Sequence, residues 1–266
     1  MTNPQTPENT PMNVKPSSMT GRRRLFLLRH GHVDYFNAAL SDPRMVDLTE
    51  DGRRQAEATA KTLANIEFDM AMCSGLPRTR QTAEIILKKQ QSAPSLMEDE
   101  GFEEIKSGWV TANSREELAA RLAYCFDQAG EPNARFLPDG ETFEAVEKRT
   151  VASLQALIQT RHWKTGLLVA HEGVNRVILG WCTGGGLNTI NAFEQDLCAI
   201  NVIDFDITPA EADDRGGSGV KIERKILKLM NVTAYDVAKN DLRRTSLEHL
   251  FGVDFGASRP IEQPTD

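Results

Sequence analysis

Histidine can act as a nucleophile or as an acid and base near neutral pH, and two histidines of this chain follow short apolar runs. His30 comes after residues 25–28 and Arg29, and His171 comes directly after residues 167–170. Apolar runs of this length predict strands that are buried on both faces of a parallel sheet. Parallel strands end at the same edge of a sheet, which is where open α/β folds bind ligands. We therefore expect the two imidazoles to face each other across a crevice at that edge.

A third polar segment, residues 74–83, also follows a predicted strand and leads into a helix. A helix N-terminus offers unpaired N–H groups and the positive end of the dipole, which suit a phosphate. Arg78 falls at this helix start, and a guanidinium can bind two phosphate oxygens at once. Arg29 and Arg78 therefore predict an anion site beside the two histidines, whereas Arg80 is interpreted as a surface residue.

Strands and helices alternate along most of the chain, which predicts an α/β fold, a three-layer sandwich with a mostly parallel central sheet and helices on both faces. The predicted strands are 25–28, 68–73, 167–170, 199–205 and 220–227. Helices are predicted after the capping residue Thr49, around residues 83–87, from the capping box at 114–117, after the turn at 138–140 and after His171.

The length of 266 residues allows one large domain. Residues 1–20 are polar and predict a disordered N-terminal tail, residues 21–255 form the predicted domain with a helical insertion around 97–135, and residues 256–266 are a predicted flexible C-terminal tail. The arginines at 22–24 are interpreted as a solvated lead into the first strand.

A net charge of −7 argues against non-specific binding to nucleic acid or to a membrane, so an anionic substrate would need a local positive site. No segment approaches transmembrane length. The four cysteines are scattered without metal-binding spacing, which predicts reduced thiols and a cytoplasmic location. The two late strands could supply an edge at which two copies pair as a homodimer.

Four motifs of this chain occur in the same order as those of the histidine phosphatase superfamily, which has the phosphoglycerate-mutase-like fold, and resemble them. The resemblance runs from about residue 24 to 205. The matching motifs are Arg29-His30-Gly31, Ser74-x-Leu76-x-Arg78-x-x-Gln81-Thr82-Ala83, Gly140-Glu141-Thr142, and Ala170-His171 followed by Gly173-Val174.

The resemblance implies a phosphomonoester hydrolase that needs no metal or other cofactor. His30 would attack the phosphoryl group to form a phosphohistidine, and its other ring nitrogen would donate to a backbone carbonyl. Arg29, Arg78 and His171 would surround the phosphoryl oxygens.

In the family a glutamate four residues before a glycine, closely followed by tryptophan, protonates the leaving group. The spacing to Gly108 and Trp109 favours Glu104 for this role, with Glu103 as the alternative. Such a group must be protonated near neutral pH, so its pKa has to be raised.

The chain departs from the family pattern at three places. His32 and Val33 stand where most members carry Glu or Gln and then Thr or Ser. The phosphate-binding Asn of the family falls on Phe36, which leaves Asn37, one position later, as a provisional ligand. Glu172 replaces the usual glycine after the second histidine and adds a negative charge near the phosphate site unless it points away.

Other kinds of site fit the sequence less well. His30-x-His32-x-Asp34 could start a metal-binding cluster, but position 35 is tyrosine rather than a further histidine. Cys73 and Arg78 are separated by four residues rather than the five that cysteine-based phosphatases need.

Two rival functions stay open within the resemblance. A phosphoglycerate mutase would isomerise its substrate, and residues 33–36 differ from the polar segment that mutases carry there. A catalytically weak relative would instead bind a partner protein, although such a protein would not need the full set of reactive side chains.

Overall fold

The structure, a computed structural model, describes residues 21–35, 42–106, 108, 124–160, 162–210, 219–246 and 248. Its centre is a six-stranded sheet with the order β3-β2-β4-β1-β5-β6. The strands are β1 (Gly21–Arg29), β2 (Met70–Cys73), β3 (Leu96–Glu98), β4 (Thr165–Ala170), β5 (Ile200–Pro209) and β6 (Val220–Val232). The α-helices are α1 (Glu50–Thr62), α2 (Pro77–Leu87), α3 (Phe143–Thr160) and α4 (Glu172–Thr183), with short 3-10 helices at Pro43–Met45, Glu100–Phe102 and Gly186–Ala192.

The first four strands are parallel, and the antiparallel pair β5 and β6 extends the sheet beyond β1. Arg29 at the end of β1 lies opposite Ala170 at the end of β4. The next residues, His30 and His171, therefore leave the sheet side by side. The predicted fold class, a mostly parallel sheet in an α/β protein, is confirmed.

Side chains of β1 alternate between the two faces of the sheet, as a pleated strand requires. Leu25 and Leu27 pack with apolar residues of α3 and α4. Phe26 and Leu28 pack on the other face with residues of α1 and α2. β1 is thus fixed between two helical layers, so the residues that follow it start from a rigid position.

Local signals set several element ends where the sequence predicts them. The Thr49 side chain accepts a hydrogen bond from the N–H of Gly52 and caps α1 as predicted. At the end of α4, Gly184 follows Thr183 with a φ of 81°, a conformation that favours glycine. β2 begins at Met70 rather than at residue 68. The three-residue strand β3 was not predicted, because its sequence is too short to show a period.

The arginines at 22–24 correct the sequence analysis, because they lie within β1 and not in a solvated lead. Arg24 donates through two nitrogens to Asp204 on β5, at 2.7 and 2.8 Å. Arg23 is buried, donates to the carbonyl of Ile158 and lies over the ring of Trp163. The pattern was misleading because the acidic partners are about 180 residues away in sequence.

Both predicted tails and the helix predicted from residue 114 lie outside the described residues. The insertion predicted around 97–135 stays a prediction, since its described flanks contain only the end of β3, one 3-10 turn and hydrogen-bonded turns at 124–133. Within the described ranges, no helix has both the length and the apolar character needed to span a bilayer.

Candidate active site

The rings of His30 and His171 lie against each other at the carboxyl edge of the sheet. Their centroids are 5.2 Å apart and the ring planes meet at 65°. Both side chains are buried. The structure therefore brings the two imidazoles together at the edge of the sheet where the sequence predicts them.

His30 is held in a form that leaves one ring nitrogen free to react. Its Nδ1 lies 2.7 Å from the backbone carbonyl of Gly31, and since a carbonyl only accepts, Nδ1 carries the proton. Burial, with the nearby charges of Arg78 and Arg29, lowers the pKa of His30 well below its usual value. The imidazole is therefore neutral, and Nε2 presents a lone pair.

A close backbone contact fixes the loop that carries His30. A Cβ at Gly31 would lie 2.5 Å from the carbonyl oxygen of Gly52 in α1, so no other residue fits without moving the helix. The N–H of Gly31 donates to Thr82 Oγ1 on α2. Position 31 thus requires glycine because the nucleophile loop is pressed onto one helix and bonded to another.

Three buried nitrogen atoms beside His30 have no hydrogen-bond partner among the described residues. These atoms are Arg29 Nε, Arg78 Nε and His171 Nδ1. Buried donors are normally paired, because an unmet donor costs about 1–3 kcal/mol. The charges of both arginines act on both histidines, so an anion bound beside the two imidazoles would be attracted by both guanidinium groups.

The other nitrogens of the same three side chains are used to hold them in place. Arg29 Nη1 donates to the carbonyl of Gln195 and to Ser246 Oγ, both at 2.6 Å. Arg78 Nη1 donates to the carbonyl of Arg44. His171 Nε2 lies 2.8 Å from Ser74 Oγ. Each side chain is anchored on one side and unpartnered at another atom.

Glu104 lies next to this cluster with its carboxylate oriented by two backbone groups. It accepts from the N–H of Ile105 at 3.0 Å and from the N–H of Gly173 at 3.3 Å. Burial raises the pKa of Glu104, although the Ile105 donor opposes the shift, and the charge of Glu172 raises it further. A raised carboxyl pKa favours the protonated form that a proton donor needs.

The alternative donor, Glu103, makes a different contact. Both of its carboxylate oxygens lie 2.8 Å from Arg44 Nη2. Glu103 is therefore paired with an exposed arginine, whereas Glu104 contacts the N–H of Gly173 beside His171. Between the two glutamates, the geometry favours Glu104.

Glu172, the departure from the family pattern, is neutralised by its neighbours. Its carboxylate lies 3.2 Å from Arg29 Nη1 and 2.8 Å from Arg176 Nη2, and it accepts from Ser246 Oγ. Burial favours the neutral acid, but Arg29 and Arg176 hold the pKa of Glu172 below its usual value. Its negative charge therefore points at guanidinium groups.

Other predicted residues take structural positions or fall outside the described residues. Arg80 is a half-exposed residue paired with Glu98, which confirms its interpretation as a surface arginine. His32 Nδ1 lies 2.8 Å from Thr49 Oγ1, and Asn37 lies outside the described residues. No group of three or more His, Cys, Asp or Glu side chains in the described part of the chain is placed to hold a metal ion.

Ser246 is a member of the cluster that the sequence analysis missed. It is 217 residues from Arg29 in sequence, and a single serine in a polar segment carries no local signal. Tyr35 lies with its ring 5.7 Å from the Arg78 guanidinium. In the sequence analysis, Tyr35 serves only as an argument against a metal-binding cluster.

The chain matches the model of the histidine phosphatase superfamily (branch 1) over residues 25–212. A probable 2-carboxy-D-arabinitol-1-phosphatase of Arabidopsis thaliana is 28% identical over 185 residues, which are 69% of this chain and 38% of that protein. The adenosylcobalamin/alpha-ribazole phosphatase of Escherichia coli K12 is 27% identical over 188 residues, which are 68% of this chain and 90% of the enzyme.

Solved structures agree on the fold. A putative alpha-ribazole-5'-P phosphatase from Escherichia coli superposes with a TM-score of 0.59 at 21% identity and covers 79% of this chain and 96% of its own. The alpha-ribazole phosphatase of Shigella flexneri gives 0.58 at 23% identity over 78% and 96%. The resemblance that the four motifs predict is confirmed by the family match, and the predicted fold by these superpositions.

Proposed function

The chain belongs to branch 1 of the histidine phosphatase superfamily and is a phosphatase, and we propose that it hydrolyses small phosphomonoesters through a phosphohistidine on His30. The observation that carries the proposal is the set of three unpartnered buried nitrogens, Arg29 Nε, Arg78 Nε and His171 Nδ1, beside a neutral imidazole. A phosphoryl group held there would accept from all three and lie next to Nε2 of His30.

In the first step of this scheme the lone pair on His30 Nε2 attacks phosphorus, and the bond from phosphorus to the ester oxygen breaks. The electron pair of that bond stays on the leaving oxygen, which takes the proton of the Glu104 carboxyl. The products are a phosphohistidine, a free alcohol and an ionised Glu104.

In the second step water attacks the phosphorus of the phosphohistidine. Glu104, now a base, takes the proton from this water, and the phosphorus–nitrogen bond breaks with its electron pair returning to His30. Inorganic phosphate leaves, and both His30 and Glu104 regain their starting forms.

Arg29, Arg78 and His171 hold the phosphoryl oxygens in both steps. Their donors are fixed before substrate arrives, so they stabilise the transition-state charge with little reorganisation. In this scheme the positive charge comes from guanidinium groups rather than from a metal ion. Asn37 stays a proposed phosphate ligand on the basis of its position in the sequence.

The substrate is tested with a panel, because the names of the relatives span carboxyarabinitol, alpha-ribazole and serine phosphates. Purified protein is incubated with sugar phosphates, nucleotides, phosphoamino acids and lipid headgroup phosphates, and released phosphate is measured. We expect release from at least one of these classes. No release from any class would favour the binding-protein alternative.

The mechanism is tested by trapping the intermediate. Labelled substrate should give an acid-labile, base-stable phosphoprotein in the unaltered chain and none in His30→Ala. A phosphoprotein of unchanged yield in the variant would refute His30 as the nucleophile. Incubation with 3-phosphoglycerate and its bisphosphate separates the mutase alternative, since rapid isomerisation without net phosphate release would overturn the hydrolase assignment.

Three expectations from the sequence complete the proposal. The four cysteines are free thiols, three of them buried, which supports a reducing, cytoplasmic setting. A homodimer is proposed on the late strands, and sedimentation of the purified protein tests it. The proposed catalytic domain covers residues 21–255.

A further inference from the structure

Glu104 lies in a part of the chain that regular secondary structure does not hold. Residues 103–106 form neither helix nor strand and follow the short 3-10 helix Glu100–Phe102. A proton donor has to stay within hydrogen-bond reach of the leaving oxygen. Some other contact must therefore fix the backbone on which Glu104 stands.

Arg149, in the second turn of α3, binds this segment with its whole guanidinium. Nη1 donates to the carbonyls of Gly101 at 2.9 Å and Glu103 at 2.8 Å. Nη2 donates to the carbonyl of Glu104 at 3.3 Å. Three backbone carbonyls around the proposed proton donor are thus held by one side chain.

Glu141 holds the same guanidinium from the opposite side. It accepts from Arg149 Nε at 2.7 Å and from Nη2 at 3.0 Å. Together with the three carbonyls, these contacts use all five N–H groups of an arginine. Although burial opposes ionisation, donation from Arg149 holds the pKa of Glu141 below its usual value.

A saturated, planar guanidinium fixes direction as well as distance, which a lysine ammonium with three donors on a flexible stem cannot do. We infer that Arg149, held by Glu141, is a positioning residue that keeps the Glu104 carboxyl at the leaving oxygen. Glu141 belongs to the Gly140-Glu141-Thr142 motif, which no step of the proposed mechanism uses. The inference rests on the proposed role of Glu104.

The test compares substrates whose leaving groups differ in their need for a proton. An alkyl phosphate such as glycerol phosphate needs protonation of its leaving oxygen, whereas nitrophenolate departs readily as an anion. The parameter is kcat/KM, because it reports the first chemical step. We expect Arg149→Lys to lower kcat/KM about 10- to 100-fold for the alkyl ester and far less for nitrophenyl phosphate.

Matched variants separate positioning from general damage to the fold. Lys148→Ala removes the exposed cation next to Arg149 on the same helix, and it should leave both substrates unchanged. Glu141→Gln should also lower kcat/KM more for the alkyl ester than for the nitrophenyl ester, by a smaller factor than Arg149→Lys. Should Arg149→Lys prove unstable, the Gln variant carries the test alone.

Three outcomes would overturn the inference. The first is that Arg149→Lys lowers kcat/KM equally for the alkyl and the nitrophenyl ester. The second is that Lys148→Ala lowers kcat/KM for the alkyl ester but not for the nitrophenyl ester. The third is that adding Arg149→Lys to Glu104→Gln lowers kcat/KM by the full factor that Arg149→Lys causes alone. If Glu104→Gln itself shows no dependence on the leaving group, the proposed role of Glu104 fails instead. The two failures are therefore distinguishable.

Discussion

Strand β1 has arginines at both of its ends, and the protein uses the two ends in different ways. At the amino end, Arg22 and Arg24 donate to Asp206 and Asp204 of β5. At the carboxyl end, Arg29 keeps a buried Nε without a partner among the described residues. The same residue type thus stabilises the sheet at one end and is available to a ligand at the other.

The difference lies in how the N–H groups are satisfied. A guanidinium met by carboxylates contributes to the folded state whether or not a ligand is present. A buried N–H that is left unmet costs free energy until an anion arrives. The carboxyl end of β1 therefore carries a cost that binding of a phosphoryl group would remove, and the variants below test that contrast.

Replacing His30 should have the largest effect at the carboxyl end. We expect His30→Ala to lower kcat on the order of 10⁴-fold or more, because the nucleophile and the proposed covalent route are lost together. Turnover is measured with the best substrate of the panel. The matched control is His162→Ala at an exposed histidine, which should retain full activity. Turnover near the wild-type value in His30→Ala would contradict the catalytic role given to the carboxyl end of β1.

The second prediction compares the same substitution at both ends of the strand. Arg29→Lys keeps the positive charge but loses the planar guanidinium that can bind two phosphate oxygens at once. We expect it to lower kcat/KM about 10²- to 10³-fold. Arg24→Lys should leave kcat/KM unchanged, since the Arg24 side chain donates to Asp204 of β5, at the far end of the strand from His30.

Binding of inorganic phosphate provides a second comparison of Arg29→Lys with Arg24→Lys. Phosphate at 100 times its Kd should stabilise wild type and Arg24→Lys by about 2.7 kcal/mol, seen as a rise in Tm. Arg29→Lys should show little of this rise at the same concentration. If Arg24→Lys lost the phosphate effect instead, the two ends of β1 would have exchanged roles.

The sequence predicts the carboxyl end of β1 better than the amino end, for a physical reason. The apolar run 25–28 is a local signal that places Arg29 and His30 at a strand end, and the parallel pairing with β4 brings His171 alongside. Arg22 and Arg24 look equally polar, but their role depends on Asp206 and Asp204, which the antiparallel pairing with β5 brings near. Long-range partners of this kind leave no trace in local spacing.

The same limit explains what was missed within the site. Glu172 follows the second histidine and its identity is plain in the sequence, yet its harmless placement depends on Arg29, Arg176 and Ser246. Arg149 lies inside a helix whose period predicts its position but not its five acceptors. Sequence motifs predict which side chains react. The side chains that position these reactive groups are set by tertiary packing.

The third prediction concerns pH and the two site histidines. Burial, then the charge of Arg78, lowers the pKa of His30 and His171 well below the usual value, which is about 6.5 in the unfolded chain. The stability this gives is fully present above pH about 6.5. Below it the unfolded chain takes up protons that the folded protein does not, so the free energy of unfolding should fall by about 1.4 kcal/mol per pH unit for each histidine.

Urea unfolding at several pH values between 5 and 7.5 measures this slope. His30→Ala and His171→Ala should each reduce this slope by one histidine's share. An unaltered slope in both site variants would mean that the acid sensitivity comes from other groups.

The smallest effects are expected among the ion pairs at the amino end. The Asp204 side chain is fully buried, whereas that of Asp206 is partly exposed beside Arg22 and Arg224. Asp204→Asn should cost about 1.5 kcal/mol of unfolding free energy, because it weakens two charge-assisted hydrogen bonds from Arg24. Asp206→Asn should lower the free energy of unfolding by less than Asp204→Asn does. In 1 M salt, the difference in unfolding free energy between Asp206→Asn and wild type should largely disappear, since salt screens exposed ion pairs more than buried ones. Both variants should keep wild-type kcat/KM per folded molecule, and a loss of activity in Asp204→Asn without a loss of stability would show that the amino end also acts on the site.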